Sequence, residues 1–192
     1  DFFAHLTQGI VNSAMMLSKI SGAFEKFTKQ IIGLNSDFEK MNNKLTSLIF
    51  ASNKSSTIDP FAKWQASGEK AKKIMEELKK LDTELNFSQN ELTAMFSSFF
   101  STASSSMSVE KATEVFKKIS YAAQVSGADV NSLIMTLDSL GAGKVNTATD
   151  FGRFLSGQGL DTQMLTDSIK NGNFGDVLIK SLTPFEEASK MA

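Results

Sequence analysis

The sequence predicts an all-α protein in two parts. A long heptad-patterned helical hairpin or coiled-coil segment fills 1–86, and a compact bundle of short helices fills 87–192. Three observations carry this. From Phe3 to Leu48 apolar residues recur in alternating steps of three and four, a seam with its a and d positions filled. Only two prolines occur, Pro60 and Pro184, which leaves long helices uninterrupted. Nowhere does a clean alternating run sit between turn signals, so no strand is expected.

The seam reads Phe3, Leu6, Ile10, Ser13, Leu17, Ile20, Phe24, Phe27, Ile31, Leu34, Phe38, Met41, Leu45 and Leu48, and only Ser13 is not apolar. As one helix it would be roughly 70 Å long at about 1.5 Å per residue. No small globule buries such a stripe along its whole length. It is therefore expected to pack against another long helix, of this chain or of another. Off the seam the residues are mostly polar, as at Asn12, Lys19, Glu25, Lys29 and Lys40. In the early half Val11, Met15 and Met16 widen the apolar face, while Gly9 and Gly22 thin the helix. Such a face serves a core helix of a bundle and a partner-facing coiled coil equally.

Ser52 to Pro60 break the pattern. Ser55, Ser56, Thr57 and Asp59 form turns and caps, and Pro60 suits a first helical position. A second helix is expected from there to about Leu85, with Phe61, Trp64, Ala71, Met75, Leu78 and Leu81 or Leu85 inward. Trp64 reads as core rather than as a binding aromatic. Glu69 with Lys73, and Glu76 with Lys80, stand at i,i+4 on the outer face in the favourable order. Ser88 and Glu91 form a capping box that opens a third helix with Leu92, Met95, Phe96, Phe99 and Phe100 on one face. The serines at 101 and 104–106 read as a frayed end or a turn.

From Ser108 the helices become short and glycine-separated. Ser108 caps one that stops at Gly127, and Asp129 caps one that stops at Gly141-Ala142-Gly143. Thr147 is the expected cap of the next, which ends near Gly157. Two more follow, around Met164 to Ile169 and Phe174 to Leu182, and Pro184 is expected to end the last or start another.

The residue inventory argues against catalysis. His5 is the only histidine, with no obvious partner for a catalytic triad, and there is no cysteine for a thiol, a disulfide or a zinc site. Gly141-Ala142-Gly143-Lys144 looks like the end of a phosphate loop. It fails, because Asp138 stands at the first glycine and Val145 where a hydroxyl should hold magnesium. The scattered aspartates match no calcium loop and read as helix caps. Glu186-Glu187 reads as a solvated face. A net charge of −1 gives no electrostatic case for nucleic acid or an anionic membrane. No apolar run reaches the roughly 18 residues of a membrane span. No cofactor or metal is implied. Asp1, in place of Met, suggests a piece of something longer.

The stretch from Ser108 to Gly159 carries a family pattern. A helix with Phe116, Ala122 and Ala123 leads into Gly127 and Asp129; a second helix ends in Gly143-Lys144-Val145; a third runs through Phe151, Phe154 and Leu155 to Gly159. This resembles the helical domain near the N-terminus of tape measure proteins of tailed bacteriophages and prophages. Leu160 and Asp161 stand where that family often carries a proline. The resemblance covers roughly a quarter of the chain, and the long seam before it is of the kind such proteins carry.

The resemblance implies a structural protein that sets tail tube length and takes part in tail assembly. Its implied partners are further copies of itself, the tail tube, the tail tip or baseplate, and assembly chaperones. Its implied place is the host cytoplasm during assembly and then the lumen of the virion tail. A whole tape measure protein is far longer, so the chain reads as a fragment that holds the globular part. The alternative from the seam alone is a generic helical interaction module, either a cytosolic adaptor or a secreted coiled-coil effector.

Overall fold

A computed structural model describes residues 36–55 and 59–192, and every regular element among them is a helix. The helices are α1 (Ser36–Ser52), α2 (Pro60–Glu84), α3 (Gln89–Ala103), α4 (Val109–Ser126), α5 (Val130–Gly141), α6 (Asp150–Gly157), α7 (Thr162–Lys170) and α8 (Phe174–Met191). The chain divides into two compact units, residues 1–76 and 77–192. Of the predicted seam, Phe3, Leu6, Ile10, Leu17, Ile20, Phe24, Phe27, Ile31 and Leu34 lie outside the described residues, as does His5.

In the first unit α1 carries the last four seam positions. Leu45 and Leu48 are buried, and Phe38 and Met41 are half-buried. The buried face is wider than the seam, because Asn42, Thr46 and Ile49 are buried beside it. Thr46 tolerates this by donating its hydroxyl to the Asn42 carbonyl one turn back. Asp59 caps α2, accepting from the Ala62 N–H at 3.0 Å, with Pro60 at the first helical position. Trp64 is half-buried and meets Phe50 edge-on, with ring centroids 5.5 Å apart at 62°. Lys63 sits over the other aromatic of that pair, 4.5 Å from the Phe50 centroid.

The second unit is built around α3, where Asn90 alone is exposed. Ser88 opens it with the expected capping box, its hydroxyl accepting from the Glu91 N–H while Glu91 accepts from the Ser88 N–H. Phe96 stacks on Phe100 at 5.6 Å and meets Phe116 of α4 edge-on at 5.4 Å, and all three are essentially inaccessible.

The tightest approach is between α3 and α5, which run parallel. The Ser98 hydroxyl donates to the Ile134 carbonyl at 2.7 Å, and one turn on Thr102 donates to the Asp138 carbonyl at 2.8 Å. At Gly141 a Cβ would lie 2.2 Å from Thr102 Oγ1 and 2.3 Å from the Phe99 carbonyl, so only glycine fits. The expected stop signal after α5 is thus also a packing requirement. The serines at 104–106 form the turn after α3.

Two expectations are corrected. The cap of α6 is Thr149 and not Thr147. Thr149 takes the extended conformation and accepts from the Gly152 N–H, whereas Thr147 is exposed in the preceding turn. Pro184 neither ends nor starts a helix, for α8 runs through it to Met191. The Lys180 carbonyl, one turn earlier, belongs to an exposed residue, so losing its helical partner there is cheap.

Replacing Gly141 by Ala is expected to cost about 2 kcal/mol or more in urea unfolding, from overpacking against α3. Gly157→Ala, where nothing lies within 4 Å of the new Cβ, is expected to be neutral or stabilising by up to about 1 kcal/mol. Equal midpoints for the two variants would refute the close crossing.

Candidate functional site

The residues of the family pattern have defined tasks in the fold. Ser108 caps α4, accepting from the Lys111 N–H. Phe116, Ala122 and Ala123 are buried on α4. Gly127 ends that helix in the left-handed conformation at φ 66°, and Asp129 caps α5 by accepting from the Ser132 N–H. Gly143 has φ 83° and packs under Ile169, where a Cβ would lie 2.5 Å from the Ile169 side chain. Phe151 and Leu155 are buried, and Phe154 bridges Phe151 to Phe185 of α8.

The loop after α5 also lacks the free donors of a phosphate cradle. The N–H groups of Ala142, Gly143 and Lys144 donate to carbonyls of Ser139, Leu140 and Ser139, and that of Val145 to the Thr162 hydroxyl. Its far end is fixed by a buried hydroxyl pair. Thr136 and Thr149 share a hydrogen bond at 2.5 Å, and Thr149 also touches the Asn146 carbonyl at 2.9 Å. The Asn146 carbonyl in turn sits so close to Gly152 that a Cβ there would overlap it.

A cleft of about 440 Å³ lies in the second unit among the C-terminal end of α2, α4 and α8. Its geometry follows from register. Lys117, Tyr121 and Gln124 lie on one face of α4 and meet Glu77, Glu84 and the Asn86 N–H in the same order. On another face Lys111 and Lys118 meet Asp176 and Glu186 of α8. So residues 77–84 of α2 run parallel to α4, as does α8, and α4 is tied on both sides.

The lysines that line this cleft are paired with its carboxylates. Glu77 is held below the usual carboxylate range by its hydrogen bonds to Lys117 and then Lys80, the latter at 2.9 Å. Glu186 is lowered in the same way by Lys118 and Lys190. The Tyr121 phenol donates to Glu84, and burial together with that carboxylate pushes its pKa well above the ordinary value. Lys111 is raised by Asp176, 3.0 Å away. In this arrangement the carboxylates accept from lysines or a phenol of a neighbouring helix, which ties the helices together.

Sequence reasoning singled out the seam and missed this network. Glu186, read as part of a solvated face, is half-buried between two lysines, while Glu187 is exposed. The available signal was the chain's only tyrosine one helical turn after Lys117-Lys118. The acidic partners lie 37 to 68 residues away in sequence and carry no local mark. Among the described residues no three His, Cys, Asp or Glu side chains converge as a metal site, and no helix is long and apolar enough to cross a membrane.

No protein-family model, curated protein or solved structure matches this chain.

The lowered carboxyl of Glu77 contributes stability above the unfolded-state value near 4.3, and loses it as the pH falls through its lower folded value. Glu77→Gln has no carboxyl to titrate. It is expected to cost about 1 kcal/mol or less at neutral pH and to flatten the acid dependence of the urea midpoint. An acid dependence identical to that of the parent chain would show that Glu77 is unpaired in solution.

Proposed function

We propose that this chain is a structural, non-catalytic helical protein of the tape measure type, acting in tail length determination and tail assembly through helix–helix contacts. The observation that carries the reading is the coincidence of the family pattern with the fold. From Ser108 to Gly159 its glycines and Asp129 fall at helix ends, and its apolar residues Phe116, Ala122, Ala123, Phe151 and Leu155 fall on buried faces. A pattern used in this way describes a folded module and not a reaction centre.

In this reading residues 1–86 form a long helical hairpin or coiled coil. Two observations support that: α1 and α2 meet through Phe50 and Trp64, and Leu45 and Leu48 of the seam are buried. The seam is the contact surface, offered to further copies of the chain, to the tail tube and tip or baseplate, or to an assembly chaperone. The protein works in the host cytoplasm during assembly and then in the tail lumen. The seam alone would serve a general helical interaction module equally. Neighbouring tail-tube and tail-chaperone genes favour the tape measure reading, and their absence from the locus removes it.

The seam is tested by sedimentation and circular dichroism of the chain with Leu17 and Phe24 both changed to Asp. Two charges in a packed seam are expected to reduce helicity or dissociate an oligomer. Unaltered mass and helicity would mean that the seam contacts nothing.

A further inference from the structure

We propose that residues 185–191 of α8 form a strap that hinges at Pro184 and opens independently of the rest of the helix, uncovering Tyr121 and the cleft beside it.

The two halves of α8 are held differently. Its buried residues are Phe174, Gly175, Leu178 and Leu182, and beyond Leu182 no residue is buried. Gly175 lets the first half sit directly on α4, where a Cβ would lie 2.6 Å from the Lys111 side chain. Pro184 then interrupts the helical ladder, because it has no N–H to offer the Lys180 carbonyl.

Past that point the attachment is of another kind. The Phe185 ring lies 5.3 Å from Phe154, and the Glu186 carboxylate takes Lys118 of α4 on one oxygen and Lys190 on the other at 2.6 Å. The Lys190 ammonium lies 5.5 Å from the Tyr121 ring centroid and covers that ring. Lys190 is itself 59% exposed at its side chain, so its pair with Glu186 is screened by solvent and weak. A segment held by one ring contact and partly solvated ion pairs opens far more often than one held by fully buried leucines. Tyr121 is only 6% exposed with the strap closed, and it is the only tyrosine of the chain. Nitration is therefore read at a single site, and it is paired with amide exchange along α8.

The test is native-state hydrogen exchange of the full chain, read together with the nitration rate of Tyr121. Amides of 185–191 are expected to exchange at least about 100-fold faster than those of 178–182. Glu186→Gln should speed the former a further threefold to tenfold or so, leave the latter unchanged, and raise Tyr121 nitration by a similar factor. Pro184→Ala, which restores the missing N–H, should slow exchange of 185–191. One common exchange rate along the whole of α8 would overturn the proposal. So would faster amide exchange in the Glu186→Gln variant with Tyr121 nitration unchanged, since the strap would then not cover the ring.

Discussion

The second unit depends on how closely α3 and α5 approach. Two parallel helices come near enough for hydroxyls on one to reach backbone carbonyls of the other, at Ser98 to Ile134 and at Thr102 to Asp138. That distance excludes any side chain at Gly141. It also buries α3 on almost every side, and so places Phe96, stacked on Phe100, where Phe116 of α4 can meet it. Larger residues at Ser98 or Thr102 would push the helices apart and leave the phenylalanine cluster underpacked. Of the hydroxyl residues of α3, Thr93 and Ser97 are buried and Ser98 and Thr102 line the crossing, although their composition reads as polar.

Around this crossing the bundle uses a second kind of fastening. α4 is packed by its apolar face and also tied by lysines and a phenol to α2 on one side and α8 on the other. Pairs this exposed add little stability each, but they fix which residues stand opposite one another. Hydrophobic burial holds the helices together, while the polar ladder selects their register. Glu77 and Glu186 each take two lysines, so positive and negative groups are interleaved along α4.

Local events were legible in the sequence. The Ser88 capping box, the caps at Ser108 and Asp129 and the left-handed stop at Gly127 each follow from a few adjacent residues. Thr147 and Thr149 were not distinguishable, since both precede a helix and only the buried contact with Thr136 selects the second. Pro184 reads as a terminus because proline usually is one; that its missing N–H falls opposite an exposed carbonyl is a matter of helix orientation. The burial of Asn42 and Thr46 beside the seam, and the partners of Lys117, Lys118 and Tyr121, depend on packing between distant segments. The heptad rule describes one stripe and says nothing of how wide the covered face becomes.

The parallel pairing of helices far apart in the chain bears on the order of synthesis. Lys111 meets Asp176 and Lys118 meets Glu186 across 65 and 68 residues, so α4 has no lasting neighbour on that side until α8 has been made. A nascent chain that has emerged only as far as α7 leaves an apolar flank of α4 uncovered for about 1–4 s at ordinary translation rates of about 5–20 residues per second. During that interval the growing polypeptide presents a helical flank that is covered only once α8 arrives.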